Sequence, residues 1–287
     1  MLNRVDRIQL STHNAQAVAE RWCQLLDCEI AGSDQIEVLN AERVTVNLGV
    51  SQVEILQPTG PGRVQDHIDS GCGGPFSIGV SSEDMDGLRA HLSAQGITGL
   101  DINEQLFLDQ TALSIPGLTV VISPHEEREQ VGLIRNLYEG THLTNDAPKA
   151  IADIARVFAL DAKAFVPIHS DNFGYDGALT LFDASKLHRF ETIDPFDKDK
   201  TMGRFFGRFG PSLYMCYAET DELGTIRERL KSLAADAWTG SEEDDDGLFI
   251  HPKALGGVML GVSRTSHAWT WSGYPERRVP LPGEAAK

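Results

Sequence analysis

The sequence predicts an α+β protein assembled from four copies of one strand–helix–strand–strand–strand unit. Two observations carry this. Four strand-then-helix starts recur, at Arg7, Ser77, Glu139 and Tyr214. Each is followed seven residues later by a small polar or acidic residue suited to cap a helix: Asn14, Asp84, Asp146 and Asp221. Such a side chain accepts a hydrogen bond from the first unpaired helix amides. One unit cannot cover both faces of its sheet, so the units are expected in pairs.

The elements follow in order. After the first helix come three β-type runs, "QIEVLN", "RVTVNLG" and "QVEILQP". The third helix carries Ile151, Ile154, Ala155 and Phe158 at helical spacing and is followed by "AFVPIHS", "ALTLFD" and "HRFETIDP", with a turn at "NFGYDG". The fourth is followed by "GLFIHP" and "GVMLGVS". The charged, aperiodic "SPHEEREQVG" (123–132) reads as the joint between two halves. The expected domains are therefore 1–124 and 133–264. The remainder, 265–287, reads as a tail whose first part lies across a barrel or a subunit partner and whose Pro/Gly-rich end is disordered.

Composition bounds the function. A net charge of −17 disfavours nucleic acid and anionic membranes, whose phosphates it would repel. No apolar run approaches the roughly 20 residues of a membrane span. The N-terminus shows no signal-peptide core, and the four cysteines form no CxxC pair, so the protein is expected to be cytoplasmic with reduced thiols.

The layout resembles the vicinal oxygen chelate superfamily, which includes glyoxalase I, methylmalonyl-CoA epimerase, extradiol dioxygenases and bleomycin-resistance proteins. The stretches that carry the resemblance are "VEILQPTGPGRVQDHI", "GCGGPFSIGV", "FETIDPFDKDKTMGRFFGRFGPSLYMCYAETDEL" and "GLFIHPKALGGVMLGVSR", the last similar to epimerase-like proteins. The resemblance implies two cupped-sheet barrels with helices outside, and up to four inward His, Glu or Gln side chains holding a divalent metal. In the first barrel those positions hold Arg7, Glu54, Ser77 and Val121, which implies a structural or metal-free cup with an Arg7–Glu54 salt bridge.

In the second barrel they hold Glu191, Tyr214, Gly261 and either Glu139 or His142. Glu139 and His142 point to opposite faces of one strand. Leu137 and Leu143 share the Glu139 face by simple alternation, which favours His142 inward. His142, Glu191, Tyr214 and Glu139 are thus the catalytic candidates, with His142 and Glu191 as tentative metal ligands. A metal is allowed only in the second barrel, and no other cofactor is expected. Lys200, Arg204, Phe205 and Arg208 form a cationic, aromatic loop expected to bind a small anionic or acyl substrate. A homodimer is allowed.

The reading favours an epimerase, isomerase or lyase acting through a carbonyl or enolate, with Tyr214 donating to the oxyanion. The alternatives are a metal-free binding or resistance protein and an extradiol-type dioxygenase.

Overall fold

The computed structural model describes residues 1–240 and 246–280. The first half contains β1 (Arg4–Ser11), α1 (Ala15–Leu26), β2 (Glu29–Ile36), β3 (Ala41–Leu48), β4 (Ser51–Pro58), α2 (Arg63–His67), β5 (Gly74–Ser82), α3 (Met85–Ala94), β6 (Leu100–Ile102), β7 (Gln105–Leu108), α4 (Gln110–Leu113) and β8 (Val120–Pro124). The second contains β9 (Asn136–Leu143), α5 (Ala147–Phe158), β10 (Val166–Ser170), β11 (Tyr175–Leu181), β12 (Arg189–Pro195), α6 (Thr201–Phe209), β13 (Ser212–Thr220), α7 (Leu223–Leu233), β14 (Trp238–Thr239), β15 (Gly247–Ile250) and β16 (Met259–Arg264).

Each half forms one curled eight-stranded sheet. The strand order is β2-β3-β4-β1-β5-β8-β7-β6 in the first and β10-β11-β12-β9-β13-β16-β15-β14 in the second, so the two orders are the same. Each cup is closed across two central strands that run antiparallel, β1 with β5 and β9 with β13.

Local chemistry explains the helix starts. Asn14, Asp84 and Asp146 each accept a backbone N–H three residues on, at 3.0, 2.8 and 3.0 Å. The fourth start differs from expectation. Glu222, not Asp221, occupies the cap position, and Asp221 instead faces Arg135 at 3.4 Å. Two further stretches also differ. The "QIEVLN" run ends its strand at Ile36 and continues as a 3-10 turn. The "KTMGRFFGRF" stretch, expected as a loop, is the helix α6.

The outer faces of the two sheets pack against each other in one shared core. Gly140 of β9 lies so close to Ile78 of β5 that a Cβ there would stand 2.6 Å from it. Trp22 of α1 is fully buried and donates its indole N–H to the Leu255 carbonyl at 3.3 Å. The joint at 125–132 is held too, because Arg128 reaches Asp6 at 2.8 Å. After β16 the chain places Trp269 against Tyr138, Leu179 and Leu181, so the start of the tail lies on the second sheet. The expected disorder of its end lies outside the described residues. No described helix is long and apolar enough to cross a membrane.

Candidate functional site

The two cups share a framework but are furnished differently. On β1 and β5 the pairing slips at Asp6 and at Phe76; on β9 and β13 it slips at Tyr138 and Tyr214. Each slip is a β-bulge, which adds one residue and resets which face the following side chains occupy. The bulges match between halves, so Tyr214 corresponds to Phe76, Met215 to Ser77, and Tyr217 to Gly79.

The first cup is filled. Ile36, Leu39, Leu56, Val64, Phe76, Ile102, Phe107 and Val121 are buried together inside it. Beneath them Glu54 accepts from Arg7 at 2.5 Å, Arg43 at 3.2 Å, Gln9 at 2.7 Å and Gln105 at 2.7 Å. Burial alone would raise the Glu54 pKa, but Arg7 and Arg43 outweigh it and hold the carboxyl ionised. With Ser77 donating to Gln9 at 2.5 Å, the donors here are spent on one another. The residues present do not fit a metal.

The second cup is lined rather than filled. Leu143, Ile193, Tyr214 and Met215 are buried, but Ile168, Tyr175, Met202, Phe205, Phe206, Tyr217, Phe249 and Met259 are only half-buried around them. At its floor, Arg189 donates to Glu139 at 2.5 Å, with both side chains almost wholly buried. Thr141 donates to Glu191 at 2.7 Å. Burial, then the charge of Glu139, pushes the Glu191 carboxyl up to about 8. Burial also raises Glu139, against the lowering effect of Arg189. The phenols of Tyr175 and Tyr217 are raised by burial and by the charges of Glu191 and Glu139, which places both within the same electrostatic cluster.

Several expected site residues stand elsewhere. His142 faces away from the cup: its Nε2 lies 2.8 Å from the Pro116 carbonyl of the first half, and burial lowers its pKa to about 4. It therefore cannot share a ligand with Glu191, which occupies the opposite face. Glu139 is the inward residue of that strand. Tyr214 packs with its ring 4.9 Å from that of Phe205, and burial raises its phenol against the lowering effect of Arg204. The phenols in the Glu191 cluster, Tyr217 and Tyr175, were not among the candidates; the bulge at Tyr214 hides Tyr217 from a count along the strand.

The basic groups around α6 are also engaged away from the cup. Lys200 donates to the Asp171 and Asn172 carbonyls, Arg204 to the Asp199 carbonyl, and Arg208 stacks 4.8 Å over Phe209. The inward face of α6 is Met202, Phe205 and Phe206, so the helix closes the cup with apolar and aromatic groups.

A divalent metal, which the resemblance implies, does not fit this second cup. No cluster of three or more His, Cys, Asp or Glu side chains occurs among the described residues. Two carboxyls remain, one tied to a guanidinium and one raised toward its neutral form, with no imidazole beside them.

Residues 6–105 match the family model of the Glyoxalase/Bleomycin resistance protein/Dioxygenase superfamily. No curated protein matches the chain. A triple variant of 4-hydroxymandelate synthase from Streptomyces coelicolor has the same fold, with a TM-score of 0.65 at 10% identity, over 96% of this chain and 100% of that one. Methylmalonyl-CoA epimerase from Mycobacterium tuberculosis is 20% identical over 46% of this chain and 89% of its own, with a TM-score of 0.36. A Streptomyces coelicolor methylmalonyl-CoA epimerase variant in complex with 2-nitronate-propionyl-CoA is 17% identical over 43% of this chain and 99% of its own, with a TM-score of 0.38. The first half is thus similar to the glyoxalase/bleomycin resistance/dioxygenase superfamily over residues 6–105, and the whole chain has the four-module fold with two curled sheets.

Proposed function

We propose that the second cup is a metal-free acid–base site acting on a small acyl or aryl carbonyl compound through its enolate. The observation that supports this most is the Glu191 carboxyl, raised to about 8 and set among half-buried aromatic side chains. A base is most effective when its pKa lies near the working pH, and burial supplies that match here.

In its ionised form Glu191 takes the proton from the carbon beside the carbonyl. The C–H electron pair moves to form the enolate, whose negative charge rests on oxygen. A hydroxyl of Tyr217 or Tyr175 donates to that oxygen, a contact worth roughly 2.7–4 kcal/mol in a water-poor site. Returning the proton to the same carbon gives epimerisation, and returning it to a neighbouring carbon gives isomerisation. Glu139 and Arg189 are positioning residues: their pair fixes the charge that keeps Glu191 weakly acidic. The apolar lining from Met202, Phe205, Phe206 and Phe249 favours an acyl chain or aryl ring as the substrate body.

A second reading, ligand sequestration, is favoured by α6 closing over the cup. One experiment separates the two. The protein is incubated in D2O with a panel of aryl ketones and acyl thioesters, and deuterium entry beside the carbonyl is followed by NMR. The proposal expects exchange by the wild type and at least a hundredfold loss in Glu191→Gln, with binding retained. Saturable binding without exchange in the wild type assigns the cup to sequestration.

A further inference from the structure

We propose that the second cup selects an uncharged ketone, one that carries no carboxylate or phosphate. This rests on the acid–base reading of Glu191 and narrows it to one substrate class. The cup offers a ligand apolar and aromatic surface and two carboxyls, with no cation within reach among the described residues.

The cations nearby are all committed. Arg189, at the floor, donates through Nε to Glu139 at 2.5 Å and through Nη1 to the Leu187 carbonyl at 3.2 Å. Its Nη2 has no partner, but the side chain has no exposed surface and its Cζ lies 5.0 Å from the Tyr138 ring, so a ligand anion does not reach it. At the rim, backbone carbonyls of Asp171, Asn172 and Asp199 hold Lys200 and Arg204, and Arg208 covers Phe209. The groups of α6 that do face the cup are Met202, Phe205 and Phe206.

The charge balance of the reaction points the same way. Glu139 offsets Arg189, so an ionised Glu191 leaves the cup with one net negative charge. That field is felt across the cup: after burial, the charges of Glu191 and Glu139 are what raise the Tyr175 and Tyr217 phenols. With an uncharged ketone, the proton leaves carbon for a Glu191 oxygen and the C–H pair becomes the new C=C bond. The carbonyl π pair then moves onto oxygen. Glu191 becomes neutral as the enolate becomes negative, so one charge is present before and after. A substrate carboxylate would make it two throughout. Burying a second anion without a cation to pair it is costly in an apolar site.

Calorimetric titration at pH 9, where Glu191 is ionised, tests the proposal with phenylacetone and phenylpyruvate. The two share a benzyl ketone, and a carboxylate replaces the methyl group in the second. The expected result is saturable binding of phenylacetone, at least tenfold tighter than phenylpyruvate, and a gap at least threefold smaller in Glu191→Gln. Equal or tighter binding of phenylpyruvate, no binding of phenylacetone, or an unchanged gap in Glu191→Gln would overturn it. Deuterium exchange into phenylacetone reads the acid–base step separately. Tighter phenylacetone binding with no exchange would sink that step and uphold the preference for an uncharged ligand.

Discussion

Gly261 of β16 lies so close to the ring of Tyr217 on β13 that a Cβ at position 261 would stand 2.3 Å from it. The first half uses a different pair: Gly79 of β5, at the position matching Tyr217, faces β1, and a Cβ there would stand 1.8 Å from the Arg7 side chain. In each half a glycine admits a large neighbour across the cup floor, so both cups depend on a missing side chain. Gly261→Ala should displace Tyr217 and destabilise the protein by about 1–3 kcal/mol, the usual cost of overpacking. Urea unfolding checks this; an unchanged midpoint would show that the ring has room to move.

The raised carboxyls set the behaviour at high pH. Glu191 is neutral in the folded protein up to about 8 but ionises near its ordinary 4.5 when unfolded. The folded state then binds more protons, so stability falls as pH rises from 4.5 through 8. Glu139 is shifted in the same direction. Denaturant midpoints at pH 5 and pH 9 should differ more in the wild type than in Glu191→Gln. An equal difference in both would place the loss elsewhere.

Arg189 tests the floor of the cup. Its guanidinium is the only cation within bonding distance of Glu139 among the described residues. Arg189→Met should cost about 3–5 kcal/mol, because a buried carboxylate is left without its partner. A cost below about 1 kcal/mol would mean that the pair is screened by solvent.

The acid side is governed by histidines outside the second cup. Burial lowers the pKa values of His142 and His67 to about 4 and of His188 to about 3. Each stays neutral in the fold and is protonated more readily when unfolded, so stability present above pH 6.5 is lost as pH falls toward 4. His142→Gln should reduce this loss while leaving any deuterium exchange in the second cup intact. Loss of exchange in a folded His142→Gln protein would return the residue to the site.

Much of the fold was legible because its signals are local. Asn14, Asp84 and Asp146 announce their helices through side-chain chemistry that depends on a few adjacent residues. Glu54 and Glu191 were legible as inward residues because β4 and β12 pair without a slip. The fourth unit was misaligned by one residue, since its cap is Glu222 and the count back from there ends on Met215 rather than Tyr214.

The orientation of His142 was lost to the bulge at Tyr138. Leu137 and Leu143 appear to share a face by alternation, but the extra residue puts Leu137 in the core between the sheets and Leu143 in the cup. Face assignment by counting fails wherever a strand carries an unmarked bulge, and both central strands of each half carry or face one.

The most direct measurement is the titration of Glu191 itself, followed by the carboxyl 13C shift of glutamate-labelled protein and assigned with Glu191→Gln. The account predicts a midpoint near 8 that moves down when Glu139 is replaced by Gln, since the Glu139 charge is one cause of the shift. A midpoint near 4.5, unmoved by that replacement, would contradict it.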